Sequence, residues 1–265
     1  MAGNNSQTHL GGRVIDGMVT MICWVYFIFA FLFFFSFFYL AAWLFTSDRE
    51  RTFQYINHIF YKGFLTLLQR VAPRHKWNID PKIATIRGSI IVCNHLSYLD
   101  PLLLISLLRQ NKTIVKTKFF QAPVFGWLIK VSGYLPATTE GVYAERMISQ
   151  VEKMGEFLQN GGNLFVFPEG TRSPGAGIGD FHTGVFKIAR MYRCPIQVLS
   201  LCNTDKLFPP GRFFFTTRQQ NKISLDILGC IKPPQEQESV SAAGLAGRVR
   251  DIFETRNLHC HGEVS

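Results

Sequence analysis

The sequence has six cysteines but no Cys-x-x-Cys pair and no spacing typical of a disulfide framework. Cysteines without such a pattern predict free thiols in a reducing compartment. The His-Cys-His triplet at 259–261 has no distant partners, whereas a structural zinc site normally needs four ligands. The sequence therefore predicts neither a disulfide scaffold nor a metal site.

Acidic residues are also scarce, at 18 against 28 basic ones, which gives a formal net charge of +10. A basic balance of this kind suits nucleic acid, an anionic membrane surface or an anionic substrate. There is no run rich in Lys and Arg and no nucleic-acid-binding motif, so we expect no nucleic-acid partner. Phe, by contrast, is abundant, with 25 residues, and many of them crowd into one segment, which favours contact with lipid.

That crowded segment, residues 18–45, contains no charged residue, no Pro and no Gly. At about 1.5 Å per residue, a helix of this length exceeds the roughly 30 Å hydrocarbon core of a bilayer. The segment predicts a transmembrane or membrane-embedded helix. A cleaved signal peptide is the poorer interpretation, because the run is too long and only Arg13, offset by Asp16, precedes it. The polar residues 1–17 are expected to be disordered.

Basic residues and an amphipathic pattern follow the apolar segment. Arg49, Arg51 and Lys62 place the large C-terminal part in the cytoplasm by the positive-inside rule. Apolar residues at helical spacing over 52–71 predict a helix that Pro73 ends. Such a helix either lies on the membrane surface or packs on the domain as an ordinary amphipathic helix, and the pattern does not separate these two.

From about Trp77 the pattern alternates between short apolar runs and helical periodicity. The predicted strands are 89–93, 113–116, 163–167, 196–201 and 222–228. The predicted helices are 101–108, 124–131, 142–159, 185–192 and 242–256. This alternation predicts an α/β domain over 77–265, with a mainly parallel sheet flanked by helices, behind a membrane anchor and interfacial helix over 18–76.

The strand at 89–93 ends at a histidine that an aspartate follows five residues later. Asp100 and Pro101 are typical of the N-cap and first residue of a helix. The turn between them and His95 lies at the C-terminal end of a strand, where open α/β sheets place their sites. The Asp100 carboxylate could meet one imidazole nitrogen and leave the other free to take a proton. Alternatively, Asp100 only caps the helix and His95 is an ordinary loop histidine.

A second strand, at 163–167, also runs into a polar turn that contains glycine. Glu169, Thr171 and Arg172 are crowded at its exit. Arginine offers a fixed fork of donors suited to a phosphate, and Gly170 lets a backbone N–H approach a ligand. The alternative is a surface turn with a local Glu–Arg pair.

Together the two turns resemble the motifs of the glycerolipid acyltransferase family, whose best-known members are lysophosphatidic acid (1-acyl-sn-glycerol-3-phosphate) acyltransferases. The family's Asn-His-x4-Asp is present as Asn94, His95 and Asp100, and its Phe-Pro-Glu-Gly-Thr-Arg-Ser is complete over 167–173. Weaker agreement extends the resemblance over roughly 85–230. It implies a membrane-bound O-acyltransferase that moves a fatty acyl group from acyl-coenzyme A or acyl carrier protein to a lysophospholipid, without a metal or cofactor.

The resemblance also implies roles for these residues. Glu169, Gly170, Thr171 and Arg172 would bind the acceptor, with Arg172 on its phosphate or other anionic headgroup. Our mechanistic hypothesis makes His95 the general base on the acceptor hydroxyl and Asp100 the group that holds and polarises the imidazole. The hydroxyl then attacks the thioester directly, so no nucleophilic Ser or Cys is needed. Asn94 is expected to shape the turn rather than to act in the chemistry.

The sequence departs from the family pattern beside these motifs. After Gly133 the family usually has an apolar pair and then Asp-Arg, whereas residues 134–139 contain no basic residue. The sequence therefore leaves two acceptors possible. One is 1-acyl-sn-glycerol-3-phosphate, which would give phosphatidic acid, and the other is a different lysolipid such as a lyso-ornithine lipid. A non-catalytic membrane lipid-binding protein and a hydrolase are the remaining alternatives. His95 and Asp100 argue against the first, and the absence of a Gly-x-Ser-x-Gly turn argues against the second.

Overall fold

The computed structural model describes residues 3–138, 140–172, 179–232 and 240–256, with side chains from Arg13 onward. The strands are β1 His75–Ile79, β2 Ile90–Cys93, β3 Asn111–Val115, β4 Leu135–Pro136, β5 Asn163–Val166, β6 Ile196–Cys202 and β7 Asn221–Ile231. They form one sheet in the order β1-β7-β6-β2-β5-β3-β4. All neighbouring strands are parallel except β6 and β7, so the predicted mainly parallel α/β sheet is confirmed.

Helices cover the sheet and precede it. They are α1 Gly3–Val25, α2 Ser36–Phe45, α3 Arg49–Val71, α4 Leu99–Leu107, α5 Thr117–Phe120, α6 Phe125–Val131, α7 Ala144–Glu152, α8 Met154–Gln159, α9 Gly184–Met191, α10 Thr204–Leu207 and α11 Ala242–Arg256. A π-helical stretch, Tyr26–Phe35, joins α1 to α2, and two short 3₁₀ helices lie at Pro81–Thr85 and Gly141–Tyr143. The helix predicted over 142–159 is therefore several shorter pieces.

The central strand β2 shows why the sheet forms where it does. All four of its residues are buried. Ile91 and Cys93 point into a core shared with α3 and α4, whereas Ile90 and Val92 point into a core shared with α8, α9 and α11. A strand covered on both faces needs a continuous apolar run, which is the pattern that predicted it. Burial of each such side chain contributes about 1.5–3 kcal/mol.

The N-terminal segment departs from the expectation of disorder. The helix begins at Gly3, and it is tied to the domain at Asp16. The Asp16 carboxylate accepts from the Thr217 backbone N–H at 2.8 Å and from the Thr217 hydroxyl at 2.7 Å. Within the described residues, Arg13–Phe45 is one helix of 33 residues, long and apolar enough to cross a membrane. The local composition of 1–17 could not reveal contacts with a loop two hundred positions away.

Helix α3 packs on the domain, which is the second of the two alternatives for this amphipathic segment. Its Asn57 accepts from the Tyr39 hydroxyl at 2.6 Å and donates to the Ser132 hydroxyl at 2.9 Å. Phe53 and Phe60 on the same face contact aromatic side chains of the preceding apolar helix. Helix α3 therefore lies between the apolar helix and the sheet, and joins them.

The expectation that all the cysteines are free thiols is corrected. Cys23, Cys93, Cys194 and Cys230 are free thiols, but Cys202 is disulfide-bonded, a pairing that the sequence spacing could not show. The triplet at 259–261 lies outside the described residues. Among the residues that are described, no group of three or more His, Cys, Asp or Glu could hold a metal ion.

Candidate active site

The buried carboxylate of Asp100 is the centre of the site. Its Oδ2 lies 2.8 Å from His95 Nδ1 and accepts the backbone N–H groups of Leu96 at 2.6 Å and Ser97 at 2.7 Å. Its Oδ1 accepts the Thr204 hydroxyl at 2.6 Å. Asp100 is fully buried, and a buried charge is tolerated only when donors surround it in this way.

The predicted N-cap role of Asp100 is wrong. The helix begins at Leu99, and Tyr98 is the N-cap residue. Asp100 lies in the first turn of α4, and its carboxylate turns back onto the loop before the helix. It holds the loop through the N–H groups of Leu96 and Ser97 and makes the predicted contact with one imidazole nitrogen of His95.

The His95 ring has one engaged and one open nitrogen. Nδ1 faces the Asp100 carboxylate, so a proton on Nδ1 leaves the lone pair of Nε2 available to accept another proton. The ring stacks on Phe167 at 4.1 Å between centroids, and the side chain keeps 16% of its surface exposed. Orientation, tautomer and access together suit a general base.

Asn94 fixes the end of β2 to its neighbour β6. Its Nδ2 donates to the Leu201 carbonyl at 2.8 Å, and its Oδ1 accepts the Leu201 N–H at 2.7 Å. Both hydrogen-bonding groups of the amide are therefore used on the backbone. This is the turn-shaping role predicted for Asn94.

The second turn follows β5, the parallel neighbour of β2, and places Glu169, Gly170, Thr171 and Arg172 at the same edge of the sheet. Gly170 has φ +65°, and a Cβ there would lie 2.9 Å from His182 Nε2. The positive φ favours glycine, and a larger residue would also have to displace the His182 ring. The last residue of the motif, Ser173, lies outside the described residues.

Arg172 connects the two turns. Its Nη2 donates to the Tyr98 hydroxyl at 2.9 Å, and its guanidinium carbon lies 3.6 Å from the centroid of the Tyr98 ring. Among the described residues, its buried Nη1 has no hydrogen-bond partner. The structure therefore brings Arg172 to the turn that holds His95, with one donor nitrogen unused.

Several backbone donors near the turns are already engaged. The N–H groups of Leu96 and Ser97 bond Asp100, and that of Gly170 bonds the Phe167 carbonyl at 3.1 Å. None of these three is available in this arrangement to stabilise an oxyanion. A donor of that kind has to come from another group at the edge of the sheet.

The nucleophilic side chains nearest to His95 have structural roles. Ser97 is fully buried, and its hydroxyl donates to the Phe208 carbonyl at 2.8 Å. Burial raises the pKa of the Cys93 thiol well above its usual value, and the nearby Asp100 and Glu169 carboxylates raise it further. Neither group is placed as a covalent nucleophile.

Sequence reasoning missed Thr204 and Tyr98 as partners of the site. Thr204 lies 104 residues from Asp100, and no motif marks it. Tyr98 lies inside the Asn-His-x4-Asp stretch, but at one of its unspecified positions. His182, whose ring lies next to Gly170, was missed as well.

Comparison with known proteins identifies the class of this site. Residues 74–201, a range that includes both turns, match the model of the Acyltransferase family. Over 97% of this chain and 99% of the other, the fold matches the crystal structure of the 1-acyl-sn-glycerophosphate acyltransferase PlsC from Thermotoga maritima, with a TM-score of 0.71 at 23% identity. The resemblance predicted from the two motifs is confirmed.

Two curated acyltransferases are similar in sequence to part of this chain. The chain is 34% identical over 122 residues to the chloroplastic 1-acyl-sn-glycerol-3-phosphate acyltransferase BAT2 of Brassica napus, covering 46% of this chain and 35% of that one. It is 34% identical over 91 residues to the lyso-ornithine lipid O-acyltransferase of Pseudomonas aeruginosa, covering 34% of each. The chain spans about a third of the length of these two curated relatives.

Proposed function

We propose that this protein transfers a fatty acyl group from an acyl thioester to the free hydroxyl of a lysophospholipid, with 1-acyl-sn-glycerol-3-phosphate as the acceptor and phosphatidic acid as the product. The observation that carries the proposal is the 2.8 Å contact between His95 Nδ1 and a carboxylate held by three further donors. A binding protein has no need of a base oriented in this way.

In the proposed reaction, His95 Nε2 removes the proton from the acceptor hydroxyl as its oxygen attacks the thioester carbonyl. A C–O bond forms and the C–S bond breaks, and the imidazolium returns its proton to the departing thiolate. Asp100 stabilises the imidazolium throughout this cycle. General-base assistance of this kind is worth about 10² to 10⁴ in rate.

Arg172 is proposed to hold the acceptor headgroup. Its unused Nη1 and its fixed orientation suit a phosphate oxygen. Glu169, Gly170 and Thr171 shape the same turn. The donor is acyl-coenzyme A or acyl carrier protein, and the basic surface suits either of these acidic molecules. The apolar helix would keep the domain at the cytoplasmic side of the bilayer, where the acceptor resides.

A second acceptor is favoured by two observations. The segment 134–139 lacks the basic residue that the family usually places there, and one relative is named a lyso-ornithine lipid O-acyltransferase. An acceptor with a different headgroup would need a different set of charges. The chemistry at His95 would be the same.

The test follows acyl transfer in membranes that contain the full chain, with both donors and a panel of lysolipids. The readouts are free thiol and diacylated product, and the control is His95→Ala. Phosphatidic acid formed only by the wild type supports the main proposal, and transfer confined to a lyso-ornithine lipid moves it to the second acceptor. Thiol release without a lysolipid would mean hydrolysis, and equal activity of His95→Ala would overturn the mechanism.

A further inference from the structure

A loop that no part of the proposed reaction uses displays two phenylalanines to the outside. We call residues 208–217 the aromatic loop. Within it, Phe213 is 59% exposed and Phe214 is 56% exposed. Two adjacent large apolar side chains on a surface are costly in water, and contiguous apolar patches of this kind mark sites of interaction.

The aromatic loop is tied down rather than loosely attached. Buried Phe215 stacks on Phe208 at 4.5 Å between centroids, and the Thr216 N–H donates to the Leu207 carbonyl at 2.8 Å. The Phe215 N–H donates to the Thr20 hydroxyl of α1 at 3.0 Å. These contacts fix the loop, and the fixed loop keeps Phe213 and Phe214 on the surface.

The exposed pair continues the apolar surface of the N-terminal helix. Phe213 stacks on Trp24 at 5.4 Å, with the rings only 8° from parallel. Trp24 is itself 41% exposed, and the exposed Ile28 and Phe29 follow it along the same helix. Helix and loop thus form one apolar surface, built from segments almost two hundred residues apart.

Basic residues predominate around the aromatic loop. Lys206, Arg212, Arg218 and Lys222 lie in or beside it, against Asp205 just before it and Asp16, whose carboxylate is bonded to Thr217. Arg212 and Arg218 are exposed. Aromatic side chains rimmed by arginine are the composition that binds an anionic bilayer surface, because the rings enter the lipid while the cations meet the headgroups.

The aromatic loop also touches the turn that carries His95. The Phe208 carbonyl accepts the Ser97 hydroxyl at 2.8 Å, and the Phe208 and Tyr98 rings lie 6.2 Å apart. Tyr98 in turn holds Arg172. Aromatic contacts therefore lead from Phe215, the residue directly after the exposed pair, through Phe208 and Tyr98 to Arg172, the residue proposed to bind the acceptor headgroup.

We propose that the aromatic loop is a second membrane contact, which places Phe213 and Phe214 among the lipids of an anionic bilayer and holds the Tyr98–Arg172 side of the site at the level of the headgroups. Its effect on catalysis rests on the proposed function, whereas the insertion itself does not. The occupant is a lipid surface, since the apolar pair, its cationic rim and the adjoining apolar helix all fit that chemistry.

The insertion test uses the full chain with Cys230→Ser and a fluorophore attached at Phe214→Cys, reconstituted in vesicles of phosphatidylcholine with phosphatidylglycerol. Met191→Cys is the matched control, because Met191 is an apolar residue with 62% exposure on α9, which packs on the other face of the sheet. We expect lipid-borne quenchers to quench the label at 214 and iodide to quench the label at 191. Equal iodide quenching at both positions, with no quenching from lipid, would overturn the proposal.

The catalytic test compares wild type with Phe213→Ser/Phe214→Ser. Both side chains are exposed, so the fold should be kept, and circular dichroism melting checks this. We expect KM for an acceptor embedded in vesicles to rise about tenfold, with no change for a short-chain, water-soluble acceptor. Equal losses on both acceptors would place the pair in the site and overturn the membrane role. If the wild type transfers no acyl group at all, the proposed function fails while the quenching result stands.

Discussion

The guanidinium of Arg172 lies on the face of the Tyr98 ring, with its carbon 3.6 Å from the ring centroid, and its Nη2 donates to the Tyr98 hydroxyl at 2.9 Å. One residue belongs to the turn after β5 and the other to the turn after β2. Tyr98 is partly exposed, and a cation–π contact at such a site is worth about 0.5–1 kcal/mol. Tyr98 therefore fixes the direction in which Arg172 presents its remaining donors.

Two substitutions of Tyr98 should weaken acceptor binding to different degrees. Tyr98→Phe keeps the ring and loses one hydrogen bond, so we expect KM for the lysolipid to rise about threefold; Tyr98→Leu loses both contacts and should raise it about tenfold or more. The value of kcat should change little, because neither variant touches His95. Steady-state kinetics with varied acceptor measure both. A fall in kcat at unchanged KM would contradict this positioning role.

Substitution of Arg172 should also weaken binding of the acceptor without weakening binding of the donor. Arg172→Gln removes the charge, and we expect a raised KM for the lysolipid with KM for the thioester donor unchanged. Arg190→Gln is the matched control, because Arg190 is an exposed arginine in the last turn of α9. If only donor use changed, the assignment of Arg172 to the acceptor would be wrong.

Thr204 should act on the rate through Asp100. Thr204→Val keeps the shape of the side chain but leaves Oδ1 of a fully buried carboxylate without its 2.6 Å donor. The carboxylate is then held less firmly against the His95 ring, so we expect kcat to fall about tenfold. Thr204→Ser restores the hydroxyl and should restore kcat. Equal kcat values for the Val and Ser variants would show that the hydroxyl does not position Asp100.

Asp100→Asn tests the orientation of the base. The amide can donate to His95 Nδ1 and so favour the opposite tautomer, and it no longer stabilises an imidazolium. We expect kcat to fall by about 10² to 10⁴. Asp226→Asn, in β7, should retain full activity. Loss of activity together with loss of cooperative thermal unfolding would instead indicate that Asn is not accepted at the buried position, and the catalytic role would then be tested on His95→Ala.

The parts of this fold that could be predicted are those governed by local pattern. Strands β2, β5 and β6 are buried on both faces, so they appear as continuous apolar runs. Strand β1 was missed because it lies at the edge of the sheet and carries the exposed Lys76. Strand β4 has only two residues, too few for any periodicity.

The candidate site also has a part that local sequence pattern predicts and a part that it does not. Two turns at the ends of parallel strands could be placed together from sequence, since those ends share one edge of a sheet. The contacts of Asp100 with Thr204 and of Asp16 with Thr217 could not, because they join residues 104 and 201 positions apart. Such contacts follow from tertiary packing, which no local pattern records.

An ion pair between a buried lysine and a partly exposed glutamate should stabilise the contact between helix α3 and the sheet. Lys112 is almost fully buried; its Nζ lies 2.7 Å from Glu50 Oε1 and donates to Gln150 Oε1 at 2.9 Å. Glu50→Gln leaves the ammonium without its counter-charge, so we expect about 3 kcal/mol less stability. Glu156→Gln, on the exposed side of α8, should change stability little. Thermal unfolding compares the two, and equal melting temperatures would contradict the prediction.

Cys93 should resist alkylation although it lies two residues before His95. The thiolate is the reactive form, and burial raises the pKa of this thiol well above its usual value, so little thiolate is present at pH 7 to 9. Cys230 is exposed and should react first with iodoacetamide. Mass spectrometry after brief labelling measures both sites, and acyl transfer should survive labelling at Cys230. Rapid modification of Cys93 in the folded protein, with loss of transfer, would bring a cysteine nucleophile back into the mechanism and contradict direct attack by the acceptor hydroxyl.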